Sequence, residues 1–320
     1  MLSFTSIISL LIFICAAQPA DATPATMMEP ILPIPKNMPV DPEKVALGAK
    51  LFQDRGISKG KKYSCTTCHQ SKHAGTDGQT LPDLVDGKGA RNVPTIFNTG
   101  FNLAQVWDGR FATIADDVHA TFTNIRSFNT TWPEVLNYLN RDSSYAPFRQ
   151  RQKRGKFTRY DVTSAISTYV LSLTTPNSRF DQYLRGQPEV LTTSEKKGYI
   201  LFKSYGCTAC HQGVNIGGNM YQKFGIIGNY FKDRGQTNPG DLGRYNVTKR
   251  DEDRFVFKVP GLRLVTLTAP YFHDGSVADL DDAIKIMGVY QLGQEIPGDD
   301  IKLIKLFLGT IHGEYEGKPF

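Results

Sequence analysis

Two short stretches, YSCTTCHQ at 63–70 and YGCTACHQ at 205–212, repeat two cysteines three apart with histidine next. Thiols at that spacing can add to the two vinyl groups of one porphyrin, and the adjacent imidazole then lies beneath the iron. The candidate attachment residues are Cys65, Cys68, Cys207 and Cys210, with His69 and His211 as iron ligands. Two other chemistries use the same thiols. Four thiolates from two such pairs can close a zinc site, and a single C-x-x-C can cycle between dithiol and disulfide. Neither gives a reason for a histidine at the same place in both copies. The spacing therefore predicts two covalently held c-type haems.

The remaining cysteine is Cys15, inside the apolar run IISLLIFICAA at 7–17. That run is shorter than the roughly 18 residues of a membrane span, and Ala20, Asp21 and Ala22 suit a cleavage site. Residues 1–22 are expected to be a signal peptide directing the chain to a bacterial periplasm, although MLSFTS carries no Lys or Arg. An uncleaved anchor is the alternative. Four cysteines in two signatures leave none for a disulfide framework.

Elements that would position the signatures can be read from apolar periodicity. PEKVALGAKLF (42–52) and SEKKGYILFKSYG (194–206) each precede a signature and read as helices. In the second, Ser194 has Lys197 three residues on, so a capping box is missing its acid. YDVTSAISTYVLSL (160–173), DLDDAIKIMG (279–288) and DDIKLIKLFLGTI (299–311) read as further helices. TTPNS at 174–178 breaks the chain, and stretches 74–100 and 213–275 look irregular. The expected fold is mainly α, two tandem cytochrome c-like haem domains with long irregular loops. The first domain spans 23–175 and the second 176–320, whose last helix packs back on the first domain.

The ordered blocks WDGR (107–110), TPNSRFDQYLRG (175–186), DLGRYNVT (241–248), FKVPGLR (257–263), TAPYFHDGS (268–276) and MGVYQLG (287–293) carry a resemblance. Together with the signatures they resemble the bacterial dihaem cytochrome c peroxidases and the related MauG family. The resemblance implies a peroxidatic haem on Cys65, Cys68 and His69 and an electron-transfer haem on Cys207, Cys210 and His211. It implies Met287 as sixth ligand of the second haem, where core packing is the competing reading; Tyr290 and then Met220 are the reserves. Trp107 matches the tryptophan between the haems, as a relay rather than a plain core residue. Asn98, with the backbones of Thr268 and Pro270, matches a calcium site, and oxygen ligands suit that ion.

Two departures matter. Many relatives place a blocking histidine some sixteen residues beyond the first haem histidine, and LPDLVDGKG at 81–89 has none. His73 lies too close in sequence to His69 to take its place, so the first haem is expected open. The family's distal glutamate falls at Ser127 in NIRSFNTTW (124–132). His119, with Arg126 also near, is then the candidate acid–base group, since an imidazole titrates near neutrality.

The expected activity is reduction of hydrogen peroxide with electrons from a small cytochrome c or cupredoxin. A MauG-like oxidase acting on Trp or Tyr of a partner protein is the alternative, and a dihaem electron carrier a third. The net charge of +6 favours an acidic redox partner, and FRQRQKRGK at 148–156 reads as a solvated loop. Nucleic acid has no part outside the cytoplasm. A homodimer is compatible with the resemblance.

Overall fold

The computed structural model describes residues 29–84, 87–152 and 154–320. The expected signal segment with Cys15, and Lys153 of the basic run, lie outside the described residues. Helices carry the architecture. Sheet among the described residues is confined to two-stranded antiparallel ladders, including Tyr221–Lys223 with Val256–Lys258.

Helix Pro42–Gln53 starts at Asp41, whose carboxylate accepts from the N–H groups of Glu43 and Lys44. It crosses helix Arg159–Ser172, which opens with a capping box between Thr158 and Asp161. The crossing is close because of Gly48: a β-carbon there would stand 2.1 Å from the carbonyl oxygen of Ala165. Leu47, Leu51, Phe52, Val162 and Ile166 fill one core, with Phe122 and Leu139 from helices Ile114–Thr123 and Trp132–Arg141.

The same crossing recurs. Helix Thr193–Ser204 lies on Gly298–Leu308, and a β-carbon on Gly198 would stand 2.0 Å from the carbonyl oxygen of Leu303. Phe180, Tyr199, Phe202, Ile304 and Phe307 form this second core, with Phe180 edge-on to Phe307 at 4.9 Å. The cap of this first helix differs from expectation. Thr192, two residues upstream of Ser194, is the N-cap, and Glu195 completes the box that Lys197 could not.

The last helix packs on Thr193–Ser204, inside the second core. Its apolar face is matched to Tyr199 and Phe202. Residues after it return to the first half: Tyr315 and Phe320 pack edge-on against Phe97, beside Leu173. Conversely, Ile31, near the start of the described chain, is fully buried among Phe180, Ile216 and Ile311.

Arg263 pins these pieces together. Its fully buried guanidinium donates to Asp181 at 2.8 Å, to the Val214 carbonyl at 2.9 Å and to the Leu32 carbonyl at 3.2 Å. One cation thus fixes the strap at residue 32, helix Arg179–Leu184 and the loop after the second signature. No helix among the described residues is long and apolar enough to cross a membrane.

Candidate functional site

The two signatures fold alike. In each, the histidine N–H donates to the carbonyl of the first cysteine, His69 to Cys65 and His211 to Cys207, both at 2.9 Å. Each imidazole then turns Nδ1 to a backbone carbonyl a few residues on. His69 Nδ1 lies 2.9 Å from the Gly75 oxygen, and His211 Nδ1 lies 3.3 Å from that of Ile216. A carbonyl can only accept, so Nδ1 carries the proton and Nε2 keeps a free lone pair. Desolvation lowers both pKa values, that of His211 to about 4, so both rings are neutral and ready to bind a metal.

Three of the thiols are held protonated. Desolvation pushes Cys65 up to about 12 and Cys68 and Cys207 to about 11, whereas a C-x-x-C dithiol needs a depressed value. Among the described residues the four thiols do not gather into one metal-binding group.

Beside the second signature opens a cavity of about 540 Å³ lined by Cys207, Cys210, His211, Trp107 and Met287. The chain therefore provides a largely apolar chamber, two thiols, a neutral imidazole and a thioether together, a donor set that fits a c-type haem. Met287 ends helix Leu280–Met287, where the backbone widens into a π turn over Gly288–Leu292. The Tyr290 ring packs edge-on to Tyr230 at 5.2 Å, in one cluster with Met287, and is not among the residues lining the cavity. Met220 does not line it either.

Trp107 is half-buried, and its Nε1 donates to the Asn92 carbonyl at 2.9 Å. The rest of its motif is structural. Asp108 is fully buried between Arg110 and Arg91, with the latter at 3.0 Å. Gly109 takes φ 62, and a β-carbon there would meet the Tyr221 hydroxyl at 2.1 Å. The lining also includes Thr76, next to the Gly75 carbonyl that His69 Nδ1 meets. Trp107 and Thr76 thus line the same cavity.

The distal candidates separate. Trp132 Nε1 donates to His119 Nδ1 at 2.8 Å, with the rings within 4° of coplanar. That bond makes Nδ1 an acceptor and leaves Nε2 to carry the proton. Ser127 is half-buried in the turn after helix Ile114–Thr123, its N–H donating to the Asn124 carbonyl at 3.0 Å. Arg126 reaches back to the Lys88 carbonyl at 3.0 Å, tying this turn to the 81–89 stretch. The group that sequence reading missed is Asp117, two residues before His119 on the same helix. Desolvation raises its carboxyl to about 6 against the pull of Arg110, and it is near enough to Cys65 to help hold that thiol protonated. Its signal was masked by Asp116, which makes the pair look like an ordinary acidic helix start.

Thr268 and Pro270 line the cavity. Asn98 is buried with φ 62, its Oδ1 accepting from the Thr175 N–H and its Nδ2 donating to the Thr175 hydroxyl, each at 2.9 Å. One lone pair of Oδ1 remains for a cation. Asp241, His273 and Asp274 also converge, with His273 Nε2 2.7 Å from Asp241. Arg234 bonds both carboxylates, so this cluster is charge-compensated from within the chain.

A family model described as di-haem cytochrome c peroxidase matches residues 42–189. The chain is 39% identical over 285 residues to the cytochrome c551 peroxidase of Pseudomonas aeruginosa, covering 87% of this chain and 81% of that one. It is 40% identical over 298 residues to the cytochrome c peroxidase Ccp of Escherichia coli, covering 92% of this chain. It spans 63% of that relative's length. A crystal structure of a MauG-like protein associated with microbial copper homeostasis shares the fold, with TM-score 0.74 at 23% identity over 93% of this chain and 96% of that one. With sequence identity near two-fifths along most of its length, the chain belongs to the di-haem cytochrome c peroxidase family.

Proposed function

We propose that the protein reduces hydrogen peroxide to two waters, taking two protons from solvent and two electrons, one at a time, from a small cytochrome c or cupredoxin. Bound haem would supply an iron that takes up peroxide at the first signature and one that exchanges electrons at the second. The chain's residues divide accordingly. Cys65 and Cys68 would anchor the first porphyrin and Cys207 and Cys210 the second, and His69 and His211, whose Nδ1–H groups are fixed by carbonyls, would offer Nε2 to the irons. Met287 would supply a thioether ligand to the iron of the second haem, and a thioether there raises the potential. Trp107 is the aromatic group best placed to carry charge between the two halves.

Peroxide cleavage needs a group that takes a proton from one oxygen and returns it to the other. Asp117 is our choice, with His119 as the second candidate. A hydroxyl such as Ser127 is too weak a base. Calcium would sit on Asn98 Oδ1 and the carbonyls of Thr268 and Pro270. We place the boundary between the two haem-bearing units at 175–176 and the mature protein in the periplasm.

The observation that carries this reading is the pair of carbonyl-anchored histidines, one of them facing a cavity also lined by Met287. The absence of a histidine in 81–89 favours an open first iron. Ser127, standing where relatives carry the glutamate, favours the second reading, an oxidase that withdraws electrons from Trp or Tyr of a partner protein. Electron paramagnetic resonance of the resting protein separates these from a simple carrier. One high-spin and one low-spin centre are expected, with turnover on adding peroxide and reduced cytochrome. Two low-spin, six-coordinate centres overturn the proposal.

A further inference from the structure

Lys258 ends the strand Val256–Lys258, and its N–H donates to the Trp107 carbonyl at 2.9 Å. Strand alternation sends its neighbour Phe257 against His273, ring centroids 4.4 Å apart. Both residues line the cavity that Cys210 and His211 also line. Lys258 is only 6% exposed. Yet among the described residues Nζ has no hydrogen-bond or ion-pair partner. Desolvation alone acts on it and lowers its pKa to about 8. An ammonium on a largely buried side chain without a counter-charge is costly unless it faces a cavity that water or a ligand fills.

The surroundings of that ammonium share its sign. None of the described residues lining the cavity is Asp or Glu, whereas Lys223 and Arg263 join Lys258 there. Arg263 is committed to Asp181 and two carbonyls, and Lys223 is exposed at the rim. A chamber with a buried, uncommitted cation and no carboxylate of its own is built to receive an anion. Two thiols and an imidazole on the same wall say which anion. A porphyrin tethered there brings two carboxylates with it.

We propose that Lys258 is the receptor for a propionate carboxylate of the haem held by Cys207, Cys210 and His211, and through it a determinant of that haem's potential. The proposal rests on the dihaem reading above and adds the residue that fixes the porphyrin's acidic edge. An ammonium beside the carboxylate neutralises charge near the iron, which favours the reduced state. It also keeps the carboxylate ionised through neutral pH.

The test uses full-length, haem-loaded protein with Lys258→Gln and Lys258→Arg. Pyridine haemochrome assay first counts haem: fewer than two per chain in the unaltered protein would defeat the dihaem reading rather than this proposal. With two present in each variant, a spectroelectrochemical titration follows the second centre from pH 5 to 9. Lys258→Gln is expected to lower its potential and to make it rise as pH falls, because the unpaired buried carboxylate now titrates. The propionate-bending band of the resonance Raman spectrum should shift as well, and Lys258→Arg should restore both. A Gln variant with unchanged potential, pH profile and band overturns the assignment. So does a wild-type potential that moves with added inorganic phosphate at constant ionic strength, since the ammonium would then be open to any anion.

Discussion

Gly198 lies so near Leu303 that a β-carbon on it would come within 2.0 Å of that residue's carbonyl oxygen, the same approach that Gly48 makes to Ala165. Each crossing sets the helix that leads into a signature, so backbone contact positions the thiols.

Gly198→Ala should therefore force the two helices apart and cost about 1–3 kcal/mol of stability, as overpacking does. Gly298→Ala, where a methyl group meets open space, is the control. Thermal unfolding of the haem-loaded variants checks this; equal melting temperatures would refute it.

Asp181→Asn strands the guanidinium of Arg263 in a fully buried site. We expect a loss of about 3–5 kcal/mol, only partly recovered when Arg263→Met is added to Asp181→Leu, because the Val214 and Leu32 carbonyls and the Ile34 N–H then lose their partners. Chemical denaturation of the single and double variants decides it. A double variant weaker than Asp181→Asn would show that the pair holds the fold by more than mutual compensation.

Asp117 titrates at about 6, above the usual 3.8 of its type. As the proton acceptor it works ionised, so the rate of reaction with peroxide should rise as pH passes upward through 6. Asp117→Asn should flatten that limb and slow the step by roughly 10²-fold. Its raised folded-state value also means that stability is lost as pH climbs from the ordinary carboxyl range to 6. The Asn variant should thus melt higher than the parent at neutral pH. Stopped-flow pH profiles and melting curves give two independent checks.

Met287→Gln should lower the potential of the second centre and change its ligand-field spectrum, because a thioether is lost. Tyr290→Phe should leave both unchanged, since that ring packs on Tyr230. The reverse pattern would make the tyrosine the ligand.

Trp107→Phe should slow electron exchange between the centres while both haem absorbances persist. Flash or stopped-flow reduction of one centre, followed at the other, measures it.

Much of this was legible before any coordinates. The helices read over 42–52 and 160–173 appear as Pro42–Gln53 and Arg159–Ser172, because their apolar periodicity is strong. Helices Ile114–Thr123 and Trp132–Arg141 were not read, although Thr113–Asp116 and Thr131–Glu134 form capping boxes visible in the sequence. The signatures announced their thiols and imidazoles, whereas the carbonyls of Gly75 and Ile216 that orient the rings belong to loop geometry and carry no side-chain signal. Lys258 and Asp117 were hidden for a related reason. A charged side chain reads as solvated until its burial is known, and burial comes from contacts remote in sequence.

The strap around Ile31 separates the order of synthesis from the order of completion. Its seat is built by Phe180, Ile216 and Ile311, so a residue that leaves the ribosome early must wait for one more than 270 positions later. A half-molecule expressed from residue 176 onward would carry a vacant slot where that isoleucine belongs, and supplying residues 29–34 as a separate peptide should close it.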